Sequence, residues 1–190
     1  MTARDLARIA VFAALTAGLG LLGSFTVVGV VPITLQTLGV MLAGAVLGPW
    51  RGSASMALLI LGVALGLPLL AGGRGGLGVF VTPTAGYLIG WLIAPIVIGL
   101  IVGKCPTWWR VALGSVIGGI LVIYLFGIPV QAWFTQLTIG ETIITSLVFL
   151  PGDLVKVVIA TIVTMGLYRA YPKAFDKSPG TKRRRAVQNH

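Results

Sequence analysis

Histidine and cysteine occur once each in this sequence and acidic residues four times, against fourteen lysines and arginines. Cys105 stands alone, so no intrachain disulfide is available. His190 sits in a basic tail, which removes any serine–histidine pair. One cysteine, one histidine and so few carboxylates cannot assemble a zinc or di-iron shell. Intramembrane aspartyl chemistry would need a second embedded acid. A Walker G-x-x-x-x-G-K-[ST] loop is missing too, so this polypeptide does not hydrolyse ATP itself. The expectation is a protein that is not an enzyme and holds no metal or cofactor.

Charge of either sign is scarce. Only 9% of the residues are charged and 57% are hydrophobic, where soluble domains carry roughly a quarter charged residues. A water-facing surface cannot be covered from that supply, and the composition is that of an integral membrane protein with the lipid bilayer as its surroundings. The net charge of +10 does not point to nucleic acid. The basic residues lie between apolar runs and in the tail 177-KSPGTKRRR-185, the pattern of membrane topology. The opening MTARDLARIA lacks the arrangement of a cleavable signal and is expected to begin a retained helix.

Spanning helices need about 20 apolar residues. Six segments approach this: 6–26, 33–49, 53–71, 84–103, 110–130 and 150–170. The amphipathic stretch 131-QAWFTQLTIGETIITSLVF-149 is an interfacial or partly re-entrant helix before the last of them. Arg4, Arg8, Arg51, Lys104, Arg110, Arg169, Lys173, Lys177, Lys182, Arg183, Arg184 and Arg185 all fall on one side of such a chain, which the positive-inside rule makes the cytoplasm. The fold class expected is an all-α protein of six transmembrane helices in the plasma membrane, with both termini cytoplasmic. Residues 1–172 form one transmembrane domain and 173–190 a basic solvated tail. Arg74, Glu141, Asp153 and Lys156 are then the full charges toward the outer face.

Ala3, Ala7, Ala10, Ala14 and Ala17 recur at alternating spacings of four and three. They place small residues along one stripe of the first span, where helices approach closely in lipid. The stripe serves either packing within this chain or docking of a separate membrane subunit.

The loop 72-GGRGGLG-78 contains a formal G-x-G-x-x-G at Gly73, Gly75 and Gly78. It is not a dinucleotide fingerprint, because no strand precedes it and no acid follows about twenty positions on. The glycines let the backbone turn tightly, and Arg74 is free to meet an anion. In 150-LPGDLVKVVIA-160, Pro151 suits a first helical turn, Asp153 follows it, and the spacing of three puts Lys156 on the same face one turn deeper. The two form either a self-satisfying ion pair or a clamp facing a cavity, the usual purpose of charge within a span. Thr34, Gln36 and Thr37 in 29-GVVPITLQTLG-39 and Tyr87 in 81-VTPTAGYLIG-90 lie toward the same side. Together they describe an apolar pocket with a few polar anchors.

The segments 31-VPITLQTLGVMLAGAVLGPWRG-52, 78-GVFVTPTAGYLIGW-91 and 150-LPGDLVKVVIA-160 resemble the BioY family, the biotin-specific S components of energy-coupling factor (ECF) transporters, over nearly the whole chain to about residue 172. The resemblance implies a six-helix S-component fold that binds biotin near the outer surface. It also implies partners: one transmembrane coupling subunit and two cytoplasmic ATPases, without which some members are thought to work. The P-G-D-L-x-K element matches Asp153 and Lys156, the P-I-T-L-Q-T element matches Gln36 in a first loop over the site with Thr34 beside it, and Tyr87 matches the tyrosine of P-T-G-G-Y. Ala85 replaces a family glycine in that last element. Arg74 enters from its charge position alone. The alanine stripe is similar to the small-residue face that S components present to the coupling subunit. Rival readings are an S component for another small vitamin and a self-sufficient channel or exporter.

Overall fold

The computed structural model describes residues 2–21, 24–25 and 33–172. The basic tail and most of the first loop lie outside the described residues. The described chain is helical apart from connecting loops and a two-residue antiparallel ladder, β1 (Ser24–Phe25) against β2 (Ile33–Thr34).

Helix α1 (Ala3–Leu21) starts at a reciprocal cap. The Asp5 amide donates to Thr2 Oγ1 at 3.3 Å, and the Thr2 amide donates to Asp5 Oδ2 at 3.0 Å, which satisfies two otherwise orphaned donors. Helix α2 (Gln36–Leu42) runs on through a π-helical turn, Ala43–Leu47, and stops at Gly48. Pro49 then opens α3 (Pro49–Ala64) at a position that needs no amide donor. The sequence places this span at 53–71. It begins earlier because Arg51 belongs to the first helical turn, where it pairs with Asp5 at 3.1 Å, and it ends earlier because the chain turns at Gly66 with a φ of 96°.

Helix α4 (Ala85–Val102) contains Pro95 without breaking. Helices α5 (Trp108–Val116) and α6 (Ile123–Thr135) join through a π-helical segment, Ile117–Val122. The span expected at 110–130 therefore continues past Pro129 to Thr135. Helix α7 (Ile139–Ser146) opens on a capping box between Thr138 and Glu141 and passes through a 3₁₀ turn, Leu147–Phe149, into α8 (Leu150–Ala170). The amphipathic stretch 131–149 is thus shared between the end of α6 and a helix continuous with the last span. Among the described residues, three helices are long and apolar enough to cross a membrane: Ala85–Val102, Trp108–Thr135 and Ile139–Ala170.

Met41, Met56, Leu59, Ile98 and Val111 fill the core between these helices. The bundle has two unlike ends. At one, Asp5 of α1 meets Arg51 of α3, Arg110 donates to the Ile101 carbonyl at 2.9 Å, and the Arg169 guanidinium lies 6.0 Å from the Trp108 ring. The basic connections that the sequence assigns to one side thus gather at one end. The other end carries the loop 65–84, the start of α2 and the start of α8.

Candidate functional site

Asp153 and Lys156 sit on the buried face of α8, 4% and 5% exposed. Lys156 Nζ donates to Asp153 Oδ1 at 2.8 Å and to Thr37 Oγ1 at 2.8 Å. Asp153 Oδ2 accepts from the Tyr124 hydroxyl at 2.8 Å. The pair is therefore a small network joining α8 to α2 and α6, and it is satisfied as it stands. One ammonium hydrogen and further carboxylate lone pairs remain for a ligand.

Gln36 occupies the first turn of α2 and is 1% exposed. Its Nε2 donates to the Leu69 carbonyl at 3.0 Å and the Thr16 carbonyl at 3.3 Å, and its Oε1 accepts from the Ala71 amide at 2.9 Å. Both amide hydrogens are thus committed to the backbone of α1 and of the loop 65–84. Gln36 pins that loop, a role the sequence reading of a loop residue covering the site did not contain. The loop itself turns where glycine permits it, with φ of 75° at Gly72, 69° at Gly73 and 82° at Gly76. Arg74 projects from it, donating through Nε to the Ala71 carbonyl at 3.2 Å and reaching Thr84 Oγ1 at 3.5 Å. No carboxylate pairs with Arg74 among the described residues. Partial burial holds its pKa below the ordinary guanidinium value.

From α4, the Tyr87 hydroxyl donates to Gln131 Oε1 at 2.6 Å. Its ring lies against Gly127 so closely that no side chain fits there, and it meets the Tyr124 ring edge-on at 6.4 Å. Thr34, Gln36, Arg74, Tyr87, Asp153 and Lys156 all line one cavity, whose empty space is about 640 Å³ with its open mouth included. All six residues singled out in the sequence are brought together.

Tyr124, Trp91, Thr84 and Phe149 also line the cavity, and the sequence reading passed over them. Tyr124 lies inside the apolar run of α6, and a phenol within a span was the one available signal. Of the alanine stripe, Ala3, Ala7, Ala10 and Ala14 are exposed and Ala17 is buried. Most of the stripe is thus not used for packing within this chain.

A two-cation, one-anion cavity with apolar walls suits an organic anion that also carries amide-like groups. The family model described as "BioY family" matches residues 1–173. The chain belongs to the BioY family. It is 44% identical to the biotin transporter BioY of Rhodobacter capsulatus over 190 aligned residues, covering 90% of this chain and 96% of that one. It is 42% identical to the probable biotin transporter BioY of Bacillus subtilis, with coverage of 87% and 91%. Among solved structures, the S component for biotin from an ECF-type ABC transporter superposes with a TM-score of 0.83 at 29% identity, covering 89% of this chain and 95% of that one. The BioY fold is thus shared across the bundle that builds the cavity.

Proposed function

We propose that this chain is the biotin-binding membrane subunit of an uptake system, a transport protein and not an enzyme. It captures biotin at the extracytoplasmic side and delivers it inward, driven by a transmembrane coupling subunit and two ATPases. The observation that carries the reading is the convergence of Asp153, Lys156 and Arg74 on one cavity in a chain of the BioY family. Biotin has a neutral urea with two N–H donors and a carbonyl acceptor, apolar fused rings, and a carboxylate at the end of a chain. The urea N–H groups suit the free lone pairs of Asp153, the carbonyl suits Lys156, and the carboxylate suits Arg74.

Six membrane passes with both termini cytoplasmic fit the two unlike ends of the bundle. Trp108 and Trp109 are exposed near the start of the continuous helix Trp108–Thr135 and Trp133 near its other end. The intervening turns separate these rings by about 37 Å, which suits aromatic belts at the two interfaces of a bilayer. The basic end then faces the cytoplasm and the cavity opens outward. The exposed Ala3–Ala14 stripe offers the coupling subunit a close-packing surface.

Titration calorimetry on the purified chain with biotin and a panel of other small vitamins tests the reading. Saturable binding of biotin alone is expected. No biotin binding, or equal binding of another vitamin, overturns it. Co-purification of a coupling subunit and ATPases with the chain from native membranes tests the partners.

A further inference from the structure

A second hollow lies on the outside of the bundle, between the long helix Trp108–Thr135 and α7. Leu121, Leu125, Ile128 and Pro129 line it from the first, and Ile139 and Ile143 from the second. Its empty space is about 790 Å³ with the open mouth included. Tyr124 lines this groove and the cavity alike, so one side chain stands between the two. The Tyr124 hydroxyl donates to Asp153, and the other side chains lining the groove carry no polar atom.

That lining decides what can fill the groove. Helices that dock in lipid approach through small residues or hydrogen-bond across the contact. No glycine, alanine, serine or threonine lines this groove, and its one hydroxyl proton is already donated. None of the lining residues belongs to α1, so the groove is separate from the alanine stripe offered to the coupling subunit. Leu121, Leu125, Ile139 and Ile143 are exposed along its rim. Bulky branched walls around an open hollow suit a narrow, flexible occupant that gains only dispersion contacts, and in a bilayer that is a fatty acyl chain.

Depth agrees with this occupant. Pro129 and Leu121 precede Trp133 by four and twelve residues, about 6 and 18 Å along the helix. Half the thickness of a hydrocarbon core is about 15 Å. With Trp133 at an interface, the groove descends through one leaflet at the level of its acyl chains.

We infer that this groove holds one acyl chain of a phospholipid from the leaflet on the Trp133 side, packed against the back of Tyr124. The chain fills a hollow that none of the described side chains closes, so it stays with the protein while neighbouring lipids exchange. The site is distinct from the cavity and does not depend on what the cavity binds.

The test uses the full chain in phosphatidylcholine vesicles, a small fraction of whose lipid carries a photoactivatable diazirine midway along one acyl chain. After irradiation the labelled positions are mapped by peptide mass spectrometry. Leu154, Val155 and Val158, comparably exposed on α8, give the level for passing lipid. Label on 121–129 and 139–143 should exceed that level about fivefold, a preference of about 1 kcal/mol. Ile143→Trp fills the groove from one wall and Leu125→Trp from the other, and each should bring the label there down to the α8 level. Val158→Trp should leave the groove label unchanged. Should one filled variant not fold, the wild-type map and the other variant carry the test. Label spread evenly over the exposed faces, or groove label undiminished by filling, overturns the inference.

Discussion

The Tyr124 hydroxyl donates to Asp153 Oδ2 at 2.8 Å from a helix 29 residues earlier in the chain. This bond ties α6 to the start of α8 and leaves the carboxylate with both oxygens engaged, since Oδ1 holds Lys156. A ligand therefore meets an acceptor whose position is already set, and little reorganisation remains to be made on binding.

Removing that hydroxyl while keeping the ring should loosen the acceptor. Hydrogen bonds to charged groups contribute roughly 1.5–3 kcal/mol, so Tyr124→Phe is expected to raise the biotin Kd by about tenfold or more. Calorimetry decides it, and an unchanged Kd would show that Asp153 needs no support from α6.

The buried pair leads to a coupling prediction. Lys156→Met strands the Asp153 carboxylate, and breaking a buried pair from one side costs about 3–5 kcal/mol of stability. Adding Asp153→Asn to it removes the stranded charge and should restore much of the melting temperature. Biotin binding should stay lost, because neither polar partner survives. A double variant no more stable than Lys156→Met would mean that the pair is not the source of the cost.

Gln36 makes a different prediction, since its amide serves the backbone. Gln36→Leu orphans the Ala71 amide and the Leu69 carbonyl, each unpaired buried group costing about 1–3 kcal/mol. Hydrogen exchange should quicken across residues 65–76 and leave α5 unchanged. Biotin should dissociate faster, with Arg74 no longer held over the mouth. Exchange that stays slow in this loop would refute the pin.

Arg74 is the test of charge. If its guanidinium meets the carboxylate, Arg74→Gln weakens biotin by about 1–2 kcal/mol at low salt. The uncharged amide of biotin, which offers no anion, should bind wild type and variant alike. Equal losses for both ligands would assign Arg74 to the loop's structure and not to the ligand.

Much of this site was legible in the chain because charge inside apolar runs is costly and therefore informative. Asp153, Lys156 and Arg74 stood out against so few charges, and the polar Thr34, Gln36 and Tyr87 fell toward the same side of the chain. Tyr124 and Trp91 did not stand out. Their helices are apolar on every side, so no amphipathic stripe marks which face turns inward. The start of the third span was misplaced for a related reason: Arg51 reads as a loop residue until its partner Asp5 is known.

Composition and charge placement alone marked this chain as membrane-embedded and helical, because apolar runs with so little charge are solvated by lipid and a backbone in lipid must satisfy its own hydrogen bonds. Only tertiary structure decided what each polar group does. It made Gln36 a pin and gave Asp153 a second donor in Tyr124. Hydrogen-bond partners 29, 33 or 119 residues apart are set by how helices pack, and no local pattern encodes that distance.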